Sequence, residues 1–215
     1  AELNPDDADV HYSLGECLEE QEQWPEAEVA YRLAIELKPD DAHMHYNLAY
    51  ALGKQGKWAE AEAALRRAVE IEPKDADTYF NWGLALYDLN RYEEAIEKYK
   101  KAAEIEPKDA ATYLNWGNAL YYLNRYEEAI EKYKKAAEIE PKDAATYLNW
   151  GLALYYLKRC EEAIEKYKKA AEIEPKDAAT YLNWGNALDD LNRYEEAIEK
   201  YKKAAEIEPK DAATY

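Results

Sequence analysis

The chain is poor in several residue types, and each shortage excludes something. Ser13 is its only serine in 215 residues, so no serine nucleophile is set among partners. Cys17 and Cys160 are its only cysteines, far apart in sequence, which makes no disulfide framework and suits a reducing, cytoplasmic setting. The seven glycines stand singly, so no phosphate-cradling loop is present. No apolar run approaches the roughly 20 residues of a membrane span. The opening residues Ala1 to Pro5 show neither the basic nor the apolar region of a secretory leader. A membrane partner is therefore not expected. Positive charge is scarce: 28 Lys and Arg stand against 46 Asp and Glu, a net charge of −18. Nucleic acid needs a basic stripe, so it too is excluded as a partner. Only three valines occur, while Ala, Glu, Lys, Leu and Tyr dominate. With 48% hydrophobic residues, this is the composition of a folded helical protein and not of an acidic disordered tail.

What the chain does have is a period. Prolines fall at Pro5, Pro39, Pro73, Pro107, Pro141, Pro175 and Pro209, each 34 residues after the last, with Pro25 alone outside the series. A fixed period of this length decides the architecture. With these prolines at position 32, the repeats are 8–41, 42–75, 76–109, 110–143, 144–177 and 178–211, flanked by partial units 1–7 and 212–215. The expectation is a single array over 1–215.

Each repeat reads as two helices. In repeat four the first spans about 110–123 behind Asp109, whose carboxylate suits an N-cap and the positive helix end. Asn124, and Gly56 in repeat two, stand where a left-handed residue closes a helix. The second helix runs from about Glu127 to Glu138. Pro25 sits near the start of its helix, where a missing N–H costs little. Neither helix buries its apolar stripe alone, so neighbouring repeats must stack.

The small residues sharpen the pattern. Gly15, Gly83, Gly117, Gly151 and Gly185 hold position 8; Ala27 and its five copies hold position 20, and Ala34 and its copies position 27. With the 34-residue period, these resemble the tetratricopeptide repeat (TPR) family over essentially the whole chain. The resemblance implies an all-α, right-handed superhelical solenoid of helix-turn-helix units acting as a protein-binding scaffold, without catalysis or cofactor. Departures exist. Trp82, Trp116, Trp150 and Trp184 occupy position 7, usually Leu, and Leu86 and its copies occupy position 11, usually Tyr. This exchange across adjacent turns conserves core volume. Trp24 and Trp58 at position 17 of the first two repeats read as core.

Repeats three to six have identical second halves, and differ at seven positions of the first half. Five of these, positions 2, 5, 9, 12 and 13, are those the resemblance assigns to the ligand-contacting concave groove. Position 9 alternates Leu84, Asn118, Leu152, Asn186. Positions 12 and 13 are Tyr87-Asp88, Tyr121-Tyr122, Tyr155-Tyr156 and Asp189-Asp190. The other two differences, Lys158 and Cys160, both fall in repeat five. A row of asparagines, including Asn81, Asn115, Asn149 and Asn183, holds position 6. An amide offers both donor and acceptor, so the row reads either as a ladder for an extended peptide backbone or as scaffold bonded to itself. The carboxylate-clamping TPR class carries Lys at position 5. Here that position is Tyr12, Tyr46, Phe80, Leu114, Leu148 and Leu182, which disfavours such a ligand.

Charge is uneven, with −11 of the −18 in the first 41 residues. An acidic, tyrosine-rich groove favours a basic or Arg-containing peptide or protein segment. Lys98, Lys100, Lys101 and their copies read as a solvated face on the second helices. His11 and His45, which share position 4 with Tyr in the other repeats, read as packing variants, and no metal site is expected, since the two-residue spacing of His43 and His45 on a helix splits the imidazoles between faces. Cys17, where other repeats have Ala, reads as a small buried residue; Cys160, replacing a Tyr, leaves either a gap or an exposed thiol. Ile198, Tyr201, Ala205 and Ile207 are expected to leave apolar surface on the last helix, open to weak head-to-tail self-association. The near-perfect copies also fit a second reading of another class, a consensus-like or engineered structural array with no physiological ligand.

Overall fold

The computed structural model describes residues 7–209, which form twelve α-helices in two compact halves divided between Pro107 and Lys108. The first half contains α1 (Ala8–Glu19), α2 (Trp24–Leu37), α3 (Ala42–Lys54), α4 (Trp58–Ile71), α5 (Ala76–Asp88) and α6 (Tyr92–Ile105). The second contains α7 (Ala110–Tyr122), α8 (Tyr126–Ile139), α9 (Ala144–Tyr156), α10 (Cys160–Ile173), α11 (Ala178–Asp190) and α12 (Tyr194–Ile207). Each odd-numbered helix pairs with the even-numbered helix after it. Within each half, each hairpin's second helix also packs on the next hairpin's first. Each half is thus an all-α stack of three helical hairpins.

Local chemistry fixes the boundaries. Asp7, Asp41, Asp75, Asp109, Asp143 and Asp177 each accept a backbone N–H from the first turn of the helix they precede. The first helix of each hairpin ends at a left-handed residue: Glu22, Gly56, Asn90, Asn124, Lys158 and Asn192 all have φ between 57° and 72°. There the backbone N–H of Arg91, for example, reaches back to the Leu86 carbonyl at 2.9 Å. Pro25 lies in the first turn of α2.

The core is built from a ring laid on a glycine. Tyr31, Tyr99, Tyr133 and Tyr167, at position 24, are fully buried. A methyl added at Gly15, Gly83, Gly117 or Gly151 would lie 2.4–2.5 Å from the corresponding ring. Only glycine permits this approach. Position 11 fills the same core: Leu52, Leu86, Leu120, Leu154 and Leu188 are fully buried. The position 7 tryptophans do not follow them inside. Trp82 is buried, but Trp116, Trp150 and Trp184 remain partly exposed, and each of the four indoles meets one tyrosine and one lysine. Tyr79, Tyr113, Tyr147 and Tyr181 lie nearly parallel to the indoles at 6.3–6.4 Å. On the indoles sit the ammonium groups of Lys98, Lys132, Lys166 and Lys200, at 3.8–4.3 Å from the ring centroids. These four lysines are therefore not part of a freely solvated face.

The cysteines also differ from expectation. Cys17 is exposed, because position 10 faces the preceding hairpin and no described residue precedes α1 on that side; its counterparts Ala51, Ala85, Ala119, Ala153 and Ala187 are buried. Cys160 is buried, and that burial pushes its thiol up from the ordinary range.

Candidate functional site

Positions 2, 5, 9, 12 and 13 recur at helical spacing and so share one face of each first helix. In repeats three to six none of them is fully buried, while positions 3, 8, 10 and 11 between them are. The sequence variation thus follows a partly exposed stripe on each of these first helices. In the first half Asn81, Leu84 and Tyr87 lie on it, with the Tyr87 ring edge-on to Tyr92 at 5.3 Å.

In the second half the stripe carries a tyrosine patch. The Tyr121 ring meets Tyr122 at 5.7 Å, Tyr126 at 5.5 Å and Tyr156 at 5.6 Å, all edge-to-face. Tyr126 and Tyr156 stack at 5.3 Å with 14° between their planes, and Tyr155 meets Tyr156 at 5.9 Å. Despite these contacts Tyr122 and Tyr156 keep 55% and 53% of their surface exposed. Burial, together with a hydrogen bond to Tyr156, raises the pKa of the Tyr121 phenol. Tyr126 belongs to this patch although it lies on a second helix. Reading positions 2, 5, 9, 12 and 13 alone omits it, since Tyr126 holds position 17, at the start of the second helix.

The polar residues of the stripe are partly spoken for by the scaffold. Asn81 donates its amide N–H to Tyr46 Oη at 3.1 Å and to the Asp77 carbonyl at 2.9 Å. Asn115 and Asn183 donate to the Ala111 and Ala179 carbonyls, both at 2.9 Å. Asn149 donates to Asn118 Oδ1 at 3.0 Å. The same Asn118 oxygen accepts from Tyr133 Oη at 3.0 Å, and Asn186 accepts from Tyr201 Oη at 3.0 Å. The Leu/Asn alternation at position 9 consequently has an internal meaning. Where Leu84 and Leu152 replace the amide, the buried hydroxyls of Tyr99 and Tyr167 have no hydrogen-bond partner.

Repeat five's two oddities meet repeat six's acidic pair. Lys158 Nζ is 3.1 Å from Asp190 Oδ2 and lies over the Tyr155 ring at 5.5 Å. Asp190 also contributes to raising both the Tyr155 phenol and the Cys160 thiol. Asp189 is exposed. His45 is buried and its Nε2 donates to the Pro39 carbonyl at 2.8 Å, a packing role. No group of three or more metal-ligating side chains occurs among the described residues. No helix among them is long and apolar enough to cross a membrane.

Three sequence models described as tetratricopeptide repeats match, one over residues 46–110, a second over 18–56 and 117–158, and a third over 142–210. The chain belongs to the TPR family. Among solved structures it is similar to pilF of Pseudomonas aeruginosa, with 21% identity and a TM-score of 0.78 over 94% of this chain and 92% of that one. It is also similar to MamA from Desulfovibrio magneticus RS-1, with 23% identity and a TM-score of 0.75 over 80% and 97% of the two chains. A third is YrrB, described as a TPR protein with an unusual peptide-binding site, at 24% identity and a TM-score of 0.71 over 85% and 94%. These likenesses concern the fold. No curated protein matches the chain.

Proposed function

We propose that this chain is a non-catalytic interaction scaffold that binds a peptide or protein segment along the variable face of its first helices. The observation that carries this reading is the half-exposed tyrosine patch of Tyr121, Tyr122, Tyr126 and Tyr156. Rings already ordered against one another present apolar area at little entropic cost, as binding surfaces do. Asp77, Asp88, Asp189 and Asp190 on the same face favour a basic or Arg-containing ligand. The peptide-binding site attributed to YrrB is consistent with this use of the fold. Two free thiols fit the cytoplasmic setting. Ile198 is exposed where Ile130 and Ile164 are buried between hairpins, so weak head-to-tail association with a second copy belongs to the same proposal.

Replacing Tyr122 and Tyr156 with Ala tests the reading, because both are mostly exposed and the fold does not depend on them. A peptide selected from an array screen is expected to lose about tenfold or more in affinity, as hot-spot aromatics do, with unchanged circular dichroism. Undiminished affinity by calorimetry would sink the assignment and favour the alternative, a consensus-like array without a ligand. The fourfold identical second halves speak for that alternative.

A further inference from the structure

Repeat two departs from the pairing of positions 8 and 24, and its ring on a glycine is instead Trp58 over Gly53, where an added methyl would lie 2.9 Å from the indole. Position 24 is Leu65 instead of Tyr and position 8 is Ala49 instead of Gly. The missing ring leaves a cavity of about 190 Å³ between α3, α4 and α5. Its floor is apolar, made by Ala49, Ala61, Leu65 and Ala85, all buried. Aromatic side chains of Tyr46, Tyr50 and Trp58 wall it, and Leu84 closes it from the next repeat. Besides the tyrosine phenols, the polar residues of the lining are Asn81, Lys54 and Asp88.

We infer that this cavity takes the side chain of a phenylalanine in a bound peptide whose neighbouring residue is basic; this rests on the groove reading above and names its ligand class. The volume argues for the ring. A dry apolar cavity of about 150 Å³ already holds benzene, and 190 Å³ exceeds it. The lost tyrosine ring itself shows that an aromatic group fits between these helices, since its counterparts occupy the same position in repeats one, three, four and five. The rim argues for the cation. Asp88 has no ion-pair partner among the described residues, and partial burial raises its pKa. A guanidinium or ammonium placed there offsets that desolvation. Lys54 does not already serve, because its ammonium lies over Tyr50 and Trp24, at 5.0 and 5.7 Å from the centroids. Asn81 spends its amide N–H on Tyr46 and the Asp77 carbonyl, which leaves its oxygen to accept a peptide N–H.

The test uses the full chain and the capped pentapeptide Gly-Arg-Phe-Arg-Gly, followed by methyl NMR. Saturable shifts are expected at the methyls of Ala49, Leu65 and Leu84. The analogue with Ala for Phe is expected to bind at least tenfold more weakly, and the analogue with Glu for Arg likewise. The decisive variant is Ala49→Gly with Leu65→Tyr, which restores the pairing the other repeats use and therefore folds. It is expected to abolish the preference for Phe over Ala. Absence of shifts at millimolar peptide, or a Phe preference that survives the filled cavity, overturns the inference. If the filled variant binds as before while Tyr122→Ala/Tyr156→Ala binds less, the pocket fails and the groove stands. If neither variant changes binding of the peptide, the groove reading fails as well.

Discussion

In repeat five the ring of Tyr167 lies on Gly151 and fills the space between the helices, whereas in repeat two Leu65 and Ala49 hold the same positions and a cavity of about 190 Å³ remains. Helix boundaries are unaffected: α3 and α9 are both 13 residues long, and α4 and α10 both 14. The difference is confined to the contact, so the fold tolerates either solution. What changes is what the contact leaves available. A glycine with a ring on it gives a closed core, while an alanine with a leucine gives an apolar recess beside the variable face. Two coupled substitutions thus separate a structural repeat from one able to hold a ligand side chain.

The comparison breaks if the two positions are not coupled, and this is where the largest effect is expected. Gly151→Ala places a methyl 2.4 Å from the Tyr167 ring, which is fully buried and has nowhere to move. The expected cost is about 1–3 kcal/mol, in spite of alanine's better helix propensity. Tyr167→Leu alone opens a cavity and is expected to cost about 2–4 kcal/mol. Together the two recreate the pair of repeat two, and the double variant is expected to be more stable than additivity predicts by about 1 kcal/mol or more. Chemical denaturation of the four proteins reads this directly. Strict additivity would show that the cavity in repeat two has another origin.

Most of the architecture was legible in the sequence, because a proline every 34 residues and an Asp before each first helix state the boundaries outright. The left-handed residues at Asn124 and Gly56 were legible for the same reason. The candidate face could be read from the positions that vary between copies, but the partners of its side chains could not. Asn118 looks free in the sequence, yet it serves Tyr133 from fifteen residues away. The Lys-on-Trp stacks went unread although a signal existed. Positions 4, 7 and 23 switch together, from His, Leu and Ala in repeats one and two to Tyr, Trp and Lys afterwards. Cys17 was misjudged because burial at its position depends on a neighbouring hairpin and not on the helix that carries it.

A second contrast sets repeat four against repeat five. The Tyr133 hydroxyl donates to Asn118, while that of Tyr167 is buried beside Leu152 without a partner. Removing an unsatisfied buried hydroxyl relieves its desolvation, so Tyr167→Phe is expected to stabilise by about 1 kcal/mol. Tyr133→Phe is expected to destabilise by about the same amount, since it removes a made hydrogen bond and leaves the Asn118 oxygen with Asn149 as its donor. Opposite signs from the same atom deletion in two repeats that differ besides only at Asn124/Lys158 and Tyr126/Cys160 would support the role of position 9 inside the scaffold. Equal shifts in melting temperature would refute it.

The smallest effect concerns the residue that closes the first helix of repeat five. Lys158 has φ of 60°, where repeats three, four and six place Asn, a residue that adopts left-handed backbone at lower cost. Against that cost stands its ion pair with Asp190 at 3.1 Å, in which the lysine is mostly exposed. An exposed pair contributes only about 0.2–1 kcal/mol and is screened by salt, so the two terms nearly cancel at low ionic strength. The Debye length falls from about 30 Å at 0.01 M to about 3 Å at 1 M. Screening weakens the ion pair and leaves the backbone term untouched. Lys158→Asn is therefore expected to be close to neutral at 0.01 M salt and to become stabilising by a few tenths of a kcal/mol, about half of one at most, at 1 M. Paired melts of the two proteins across that range measure the difference of differences. A gap that does not depend on salt would mean that Asp190 holds Lys158 for no electrostatic gain, and that the two departures in repeat five and the acidic pair in repeat six are unrelated.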